Sequence, residues 1–241
     1  MIALAESTWP EVRDRLARPA LAVIAVGALE QHGPHLPLAT DTIMADGVAR
    51  RIAAELGALL LPPIALGDAW NNEGFAGTLS LAPATIRAML VDIGRGLRRQ
   101  GLRALVIVNG HFGNRAPIAE AAADLGAAGF AALPLDYPDL EILAEAICTS
   151  APAAPTFYHA DEVETSIMLA LAPKLVRMDL AAPEYPAFPA SFGAEPIMLH
   201  SFCQSGVFGD PTHATAEKGE RLLDGIVAAS LREIEAFLTL L

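Results

Sequence analysis

The sequence predicts an α/β fold, a mostly parallel sheet with helices on its faces, and three observations carry that reading. Residues 21–26 (Leu-Ala-Val-Ile-Ala-Val) and 104–108 (Ala-Leu-Val-Ile-Val) are short apolar runs without alternation, as strands buried on both faces require. Amphipathic segments of helical period stand between the apolar runs. Residues able to hold a metal gather directly after the strands, where open α/β sheets place their chemistry.

Taken in order, residues 8–16 read as a first helix, with Trp9, Val12 and Leu16 on one face and Pro10 near its start. The 21–26 strand stops at Gly27. After a loop to residue 39, Thr40 or Thr42 stands where a cap belongs, before a helix reaching Leu56 and stopped by Gly57. Its residues Ile43, Val48, Ile52 and Leu56 face inward. Residues 59–64 read as a second buried strand closed by Pro62 and Pro63, and 67–81 as a loop. Pro83 opens a helix through Ile86, Met89, Leu90, Ile93 and Leu97 that ends at Gly101. The 104–108 strand runs straight into Asn109-Gly110-His111-Phe112-Gly113-Asn114. Residues 117–125 are helical, 130–135 a strand and 140–147 helical again. The stretch 149–155, rich in Ala and Pro, is a loop. Residues 162–171 follow with Val163, Ile167 and Leu171 on one stripe. Residues 180–199 show no period. From Thr215 onward, Leu222, Leu223, Ile226, Val227, Leu231, Ile234 and Leu238 mark a long amphipathic helix.

No linker-like stretch divides the 241 residues, so residues 1–241 are expected to form one domain. A hydrophobic share of 53% with only 18% charged residues implies a sizeable core and a surface partly covered by other subunits. The net charge of -12 argues against nucleic acid and anionic membranes, which need clustered Lys and Arg. Cys148 and Cys203 are too few for a disulfide framework and fit no thiolate metal site. Any metal must therefore be held by imidazole and carboxylate. The first residues lack a basic region followed by an apolar core, and no apolar run approaches the ~20 residues of a membrane span. A cytoplasmic location is the expectation.

Glu30, His32, His35 and Asp41 crowd the loop after the first strand. Glu30 and His32 are two apart, so in an extended chain both point the same way. His111 ends a strand inside an Asn-Gly-His turn, and His159 and Glu164 flank the start of a helix. Each alone reads as a hydrogen-bonded or solvated group. Together they offer the imidazoles and carboxylates that two divalent ions need, with one carboxylate bridging.

Gly27-Ala28-Leu29-Glu30-Gln31-His32-Gly33-Pro34-His35-Leu36-Pro37-Leu38 with Thr40-Asp41 resembles the opening signature of the creatininase (creatinine amidohydrolase) family. Asn109-Gly110-His111, Gly113-Asn114, His159-Ala160, Glu164-Thr165-Ser166, Gly209-Asp210-Pro211 and Glu217-Lys218-Gly219 resemble its later motifs in the same order. The resemblance implies a three-layer α/β/α sandwich, two divalent ions per subunit (Zn, Mn or both) and a homohexamer. It implies that Glu30 and His111 hold one ion and His32 the other, that Asp41 bridges them and that Glu164 is a fifth ligand. His159 matches a histidine near the substrate. His35 reads as a loop-fixing group.

Two departures bear on the substrate. Creatinine-hydrolysing members carry a glutamate two residues after the histidine of the Asn-Gly-His turn, where this chain has Gly113. They also carry tryptophans shortly before the later histidine, and none stands between Tyr137 and His159 here. Trp70, Asn72, Phe75 and Gly113 are expected to shape the pocket. The expected reaction is attack by a metal-bound hydroxide on a C–N bond of a small cyclic amide or formamide-type substrate, with His159 or Glu162 passing a proton to the leaving nitrogen. The family also contains a deformylase and a peptidase that trims a modified peptide cofactor, which are the alternative activities. A scaffold without catalysis is the remaining one, and five intact ligands argue against it.

Overall fold

A computed structural model describes residues 1–16 and 21–241. Five strands form its sheet: β1 (Ile2–Ala3), β2 (Leu21–Val26), β3 (Leu59–Leu60), β4 (Ala104–Asn109) and β5 (Ala131–Leu135). The order across the sheet is β1-β3-β2-β4-β5, and every pair is parallel. The main helices are α1 (Trp9–Leu16), α2 (Thr40–Leu56), α3 (Pro83–Arg99), α4 (Arg115–Ala127), α5 (Leu140–Ile147), α6 (Glu162–Leu171) and α7 (Ala216–Leu238).

Alternate residues of β2 and β4 enter two separate cores, as the period of a strand dictates. Val23, Ala25, Val106 and Val108 pack under α2, α6 and α7 through Val48, Ile52, Val163, Ile167, Leu222 and Ile226. Ala22, Ile24, Leu105 and Ile107 pack on the other face against Ile86, Leu90, Ile118 and Leu125 of α3 and α4. The result is the expected α/β/α sandwich. Because β2 and β4 are neighbours in register from Leu21↔Ala104 to Val26↔Asn109, the loops that follow them emerge side by side at one edge. That edge carries the site.

Several local expectations need correction. Only Leu59–Leu60 of residues 59–64 is strand, because Pro62 and Pro63 have no N–H to donate, and pairing resumes as a single bridge between Val26 and Ile64. Neither Thr40 nor Thr42 caps α2. Ala39 holds the cap position, and Thr40 Oγ1 instead donates to Pro37 O at 2.7 Å. The face of α1 that carries Trp9, Val12 and Leu16 holds no buried residue, and Trp9 is 73% exposed with the Arg13 guanidinium 5.4 Å from its ring. Thr215 caps α7 by accepting from Lys218 N, and Gly57 ends α2 in the left-handed region. The stretch without period carries single turns, Met178–Leu180 and Leu199–Ser201, and gathers Phe188, Phe192 and Phe202 around Phe208.

Candidate metal centre

The loop after β2 folds back on itself: Glu30 N donates to Leu38 O at 3.0 Å, and Thr40 ties to Pro37. This delivers Asp41, on the first turn of α2, beside Glu30 and His32. The turn after β4 is held by Asn109, whose Oδ1 accepts from His111 N at 3.1 Å and whose Nδ2 donates to His111 O at 2.8 Å. It directs His111 to the same point. From across the sheet edge, α6 contributes Glu164. Its N-terminus is capped by Asp161, which accepts from Val163 N and Glu164 N.

The two carboxylate oxygens of Asp41 face two different imidazoles. Oδ1 lies 3.0 Å from His32 Nε2, and Oδ2 lies 3.1 Å from His111 Nδ1. Glu30 Oε1 is 3.2 Å from His111 Nδ1, and Glu164 Oε2 is 3.6 Å from His32 Nε2. Three donor sets result, Glu30/Asp41/His111, His32/Asp41/Glu164 and Glu30/His32/His159, the ligand atoms of each lying within 4.8 Å of one another. All six residues are buried.

The donors fit divalent cations on three grounds. Among the described residues, no Lys or Arg pairs with Glu30, Asp41 or Glu164, so three buried carboxylates have no fixed positive partner. His32 Nε2 and Asp41 Oδ2 are buried without a hydrogen bond of acceptable geometry, although both point into the cluster. The ionisation behaviour agrees. Burial raises the Glu164 carboxyl, and although the nearby His32 opposes this, Asp41 and Asp161 reinforce it. Burial lowers His32, yet Asp41, Glu164 and Glu30 outweigh it and raise the imidazole to about 10. Charge of this sign, enclosed and unbalanced, is what a cation site looks like without its ions' charge in the sum.

Outer partners orient the ligands. His111 Nε2 is 2.8 Å from the Asp68 carbonyl, which fixes its proton there and leaves Nδ1 as the lone-pair atom. Asn72 Nδ2 donates to Glu30 Oε2 at 2.7 Å, leaving Oε1 for the cluster. Glu164 Oε2 accepts from Ala160 N at 2.6 Å, an approach made possible by the left-handed backbone of Ala160 (φ 52°). A Cβ on Gly113 would collide with the Asp68 carbonyl and come within 2.8 Å of His111 Nε2, so position 113 cannot carry a side chain in this backbone. His35 Nε2 bonds Thr165 Oγ1 at 2.9 Å and ties the ligand loop to α6.

The structure brings together Glu30, His32, Asp41, His111 and Glu164, with His159 beside them. The His159 ring centroid is 4.5 Å from that of His32, and its Nδ1 is 3.7 Å from Glu30 Oε1. Burial lowers its pKa to about 4, and His32 adds to that. Glu162 is not brought to the cluster. Its carboxylate accepts from Thr149 N at 2.9 Å and Ser150 N at 2.6 Å, and it pairs with Lys218. The spacing of two from Glu164 explains this, since residues two apart on a helix point to different sides. Of the expected pocket residues, Asn72 and Gly113 line the outer shell. Trp70 is 40% exposed, and Phe75 packs with Leu199 and Phe202. Sequence reasoning missed Gln31, which is buried and reaches both Asn72 and His159. Its only signal was its place between two ligands.

Residues 5–234 match the creatininase family, described as creatinine amidohydrolase. The chain is 35% identical to a mycofactocin precursor peptide peptidase of Mycolicibacterium smegmatis, over 86% of this chain and 81% of the relative. It is 32% identical to the creatinine amidohydrolase of Pseudomonas putida, over 95% of each. The structure superposes on a mutant creatininase of Zn-Zn type with a TM-score of 0.86 and 31% identity, covering 97% of both chains. With the ligand loop, the Asn-Gly-His turn and the α6 glutamate in one buried cluster, and with these matches along nearly its whole length, the chain belongs to the creatininase family of amidohydrolases.

Proposed function

We propose that this chain is a dinuclear metal-dependent amidohydrolase that hydrolyses a C–N bond in a small cyclic amide or formamide-type substrate. One observation carries the reading: Asp41 turns one oxygen to His32 and the other to His111, the arrangement of a carboxylate shared by two ions. Glu30, Asp41 and His111 would hold one ion, and His32, Asp41 and Glu164 the other, zinc or manganese. Each set has three protein donors, which leaves positions for water and substrate. When bound, such ions supply a Lewis acid for the carbonyl oxygen and bring the pKa of a coordinated water to about 7.

The chain's own residues hold and orient the reacting groups. Asn72 and Asp68 fix Glu30 and His111, and His159 is the buried imidazole beside the cluster that touches the substrate. Glu162 takes no part in proton transfer, being held by Lys218. The whole chain acts as one unit in a homo-oligomer, a hexamer by family likeness. Among the described residues, no helix is long and apolar enough to cross a membrane.

A second reading has the substrate a peptide bond of a cofactor precursor. It is supported by the identity to the peptidase relative and by Gly113, where no glutamate side chain fits. Metal analysis of protein purified without chelator tests the common core, with about two ions per chain expected; none would overturn it. A panel of creatinine, hydantoin-like rings, formamides and short peptides then separates the two readings.

A further inference from the structure

We propose that Gln31 fixes the His159 tautomer, with Nε2 accepting from the Gln31 amide and the proton on Nδ1, so that His159 presents a hydrogen-bond donor toward the metal cluster. This rests on the amidohydrolase reading for its purpose. The assignment of the proton rests only on a chain of hydrogen bonds whose two ends allow a single direction.

At one end is a backbone donor. Gly33 N lies 2.9 Å from Gln31 Oε1, and an N–H can only donate, so that atom is the carbonyl oxygen. At the other end is a carboxylate, an acceptor when ionised. Asn72 Nδ2 lies 2.7 Å from Glu30 Oε2, so the Asn72 amide donates to Glu30 and its Oδ1 faces Gln31. Between them, Gln31 Nε2 is 2.9 Å from Asn72 Oδ1 and 2.7 Å from His159 Nε2. Both Gln31 amide hydrogens are thereby used, one on Asn72 and one on His159. Turning the Gln31 amide over would set its NH₂ against the Gly33 N–H and its oxygen against Asn72 Oδ1, two clashes of like groups.

Packing holds the amide in place. Gln31 is 5% exposed, its backbone N donates to Thr78 Oγ1 at 3.1 Å, and a Cβ at position 206 would overlap Gln31 Oε1. Only glycine fits there, and Gly206 also has a φ of 81°.

His159 Nε2 must therefore accept, and its proton sits on Nδ1. That nitrogen has no hydrogen-bond partner among the described residues. Its nearest carboxylate oxygen, Glu30 Oε1, is 3.7 Å away, beyond hydrogen-bond reach. The Nδ1–H is thus presented at the edge of the cluster, next to the His32 ring. Two consequences follow. His159 cannot ligate through Nδ1, which removes Glu30/His32/His159 as a third donor set. His159 therefore meets a substrate oxygen or nitrogen with an N–H at Nδ1, held in that direction by the Gln31 amide. Gln31 and Asn72 are positioning residues that act through His159 and Glu30.

The test is ¹⁵N NMR of the intact protein labelled at its histidines, metal-free and with two equivalents of Zn²⁺, with the His159 signals assigned by their loss in His159→Ala. The expected result is a pyrrole-like Nδ1 and a pyridine-like Nε2 in the wild type, by roughly tenfold, the preference one hydrogen bond supports. Gln31→Glu, which turns the donor into an acceptor, is expected to invert that pattern, and Gln31→Met to mix the two forms. A pyrrole-like Nε2 in the wild type overturns the proposal. So does an unchanged pattern in whichever of the two variants folds. The zinc count of the same wild-type sample reads the amidohydrolase assignment separately, since the proton position is measured whether or not metal binds.

Discussion

Two buried glutamates on the first turn of α6 end in opposite circumstances. Glu164 looks toward His32 and Asp41, and among the described residues a single backbone N–H, from Ala160, binds it. Burial raises its carboxyl. Glu162 looks the other way, into a cavity of about 510 Å³ lined by Cys148, Ser150, Thr156 and Tyr158. Burial opposes its charge too, but Lys218 and the Ser150 and Thr149 donors prevail and lower its carboxyl below the ordinary value. A carboxylate already neutralised by a lysine and several N–H groups has no capacity left for a cation. A carboxylate set among other carboxylates and lone-pair nitrogens has it. Sequence proximity to a ligand says little; the charge on the facing element decides.

That contrast can be broken or sharpened by measurement. The largest effect is expected at Asp41, the proposed shared ligand. Asp41→Asn should remove both ions, by metal analysis, and depress amide hydrolysis by more than about 100-fold, the upper range for residues acting only through a ligand. Glu164→Gln should leave about one ion per chain, whereas Glu162→Gln should leave both; equal losses would erase the distinction.

Chelation comes next. Three buried carboxylates repel one another once the cations are gone, so thermal unfolding with and without chelator should differ by about 2.7 kcal/mol at metal 100-fold above its dissociation constant. No such difference is expected from anything that touches only the Glu162 side. There, Lys218→Met should cost about 1–3 kcal/mol by leaving a buried carboxylate short of its partner, with the metal content intact. The smallest effect belongs to the strut between the two regions. Thr165→Val removes the bond to His35 and should lower stability by about 1 kcal/mol in denaturant titration, with little change in ion count.

Much of the fold was legible in the chain. The runs 21–26 and 104–108 are apolar at every position because each strand feeds two cores, and that shows in composition alone. Residues 59–64 look equally apolar, but the missing N–H groups of Pro62 and Pro63 cut the strand to two residues. Trp9 sits on an apolar stripe, yet α1 contributes no buried residue. Within the site, Glu30, His32 and Asp41 were readable because they lie in one loop, and His111 because its turn ends a neighbouring strand. Glu162 misled because spacing along a helix gives a direction without saying what lies there. Gln31 was overlooked because a neutral amide acts only through what it touches.

By itself the sequence determined which segments are strands and helices, since hydrophobic period and turn residues act locally, and it determined which donor atoms were on offer. The tertiary structure alone decided that Asp41 divides its oxygens between two imidazoles, that Glu162 belongs to Lys218, and that Gln31 reaches His159. Those are contacts between groups as much as 128 positions apart along the chain, two of them made where the ends of β2 and β4 and the start of α6 converge and the third between α6 and α7. The reason is physical: ligation and proton placement depend on distances of a few ångströms, and only the folded backbone sets those distances.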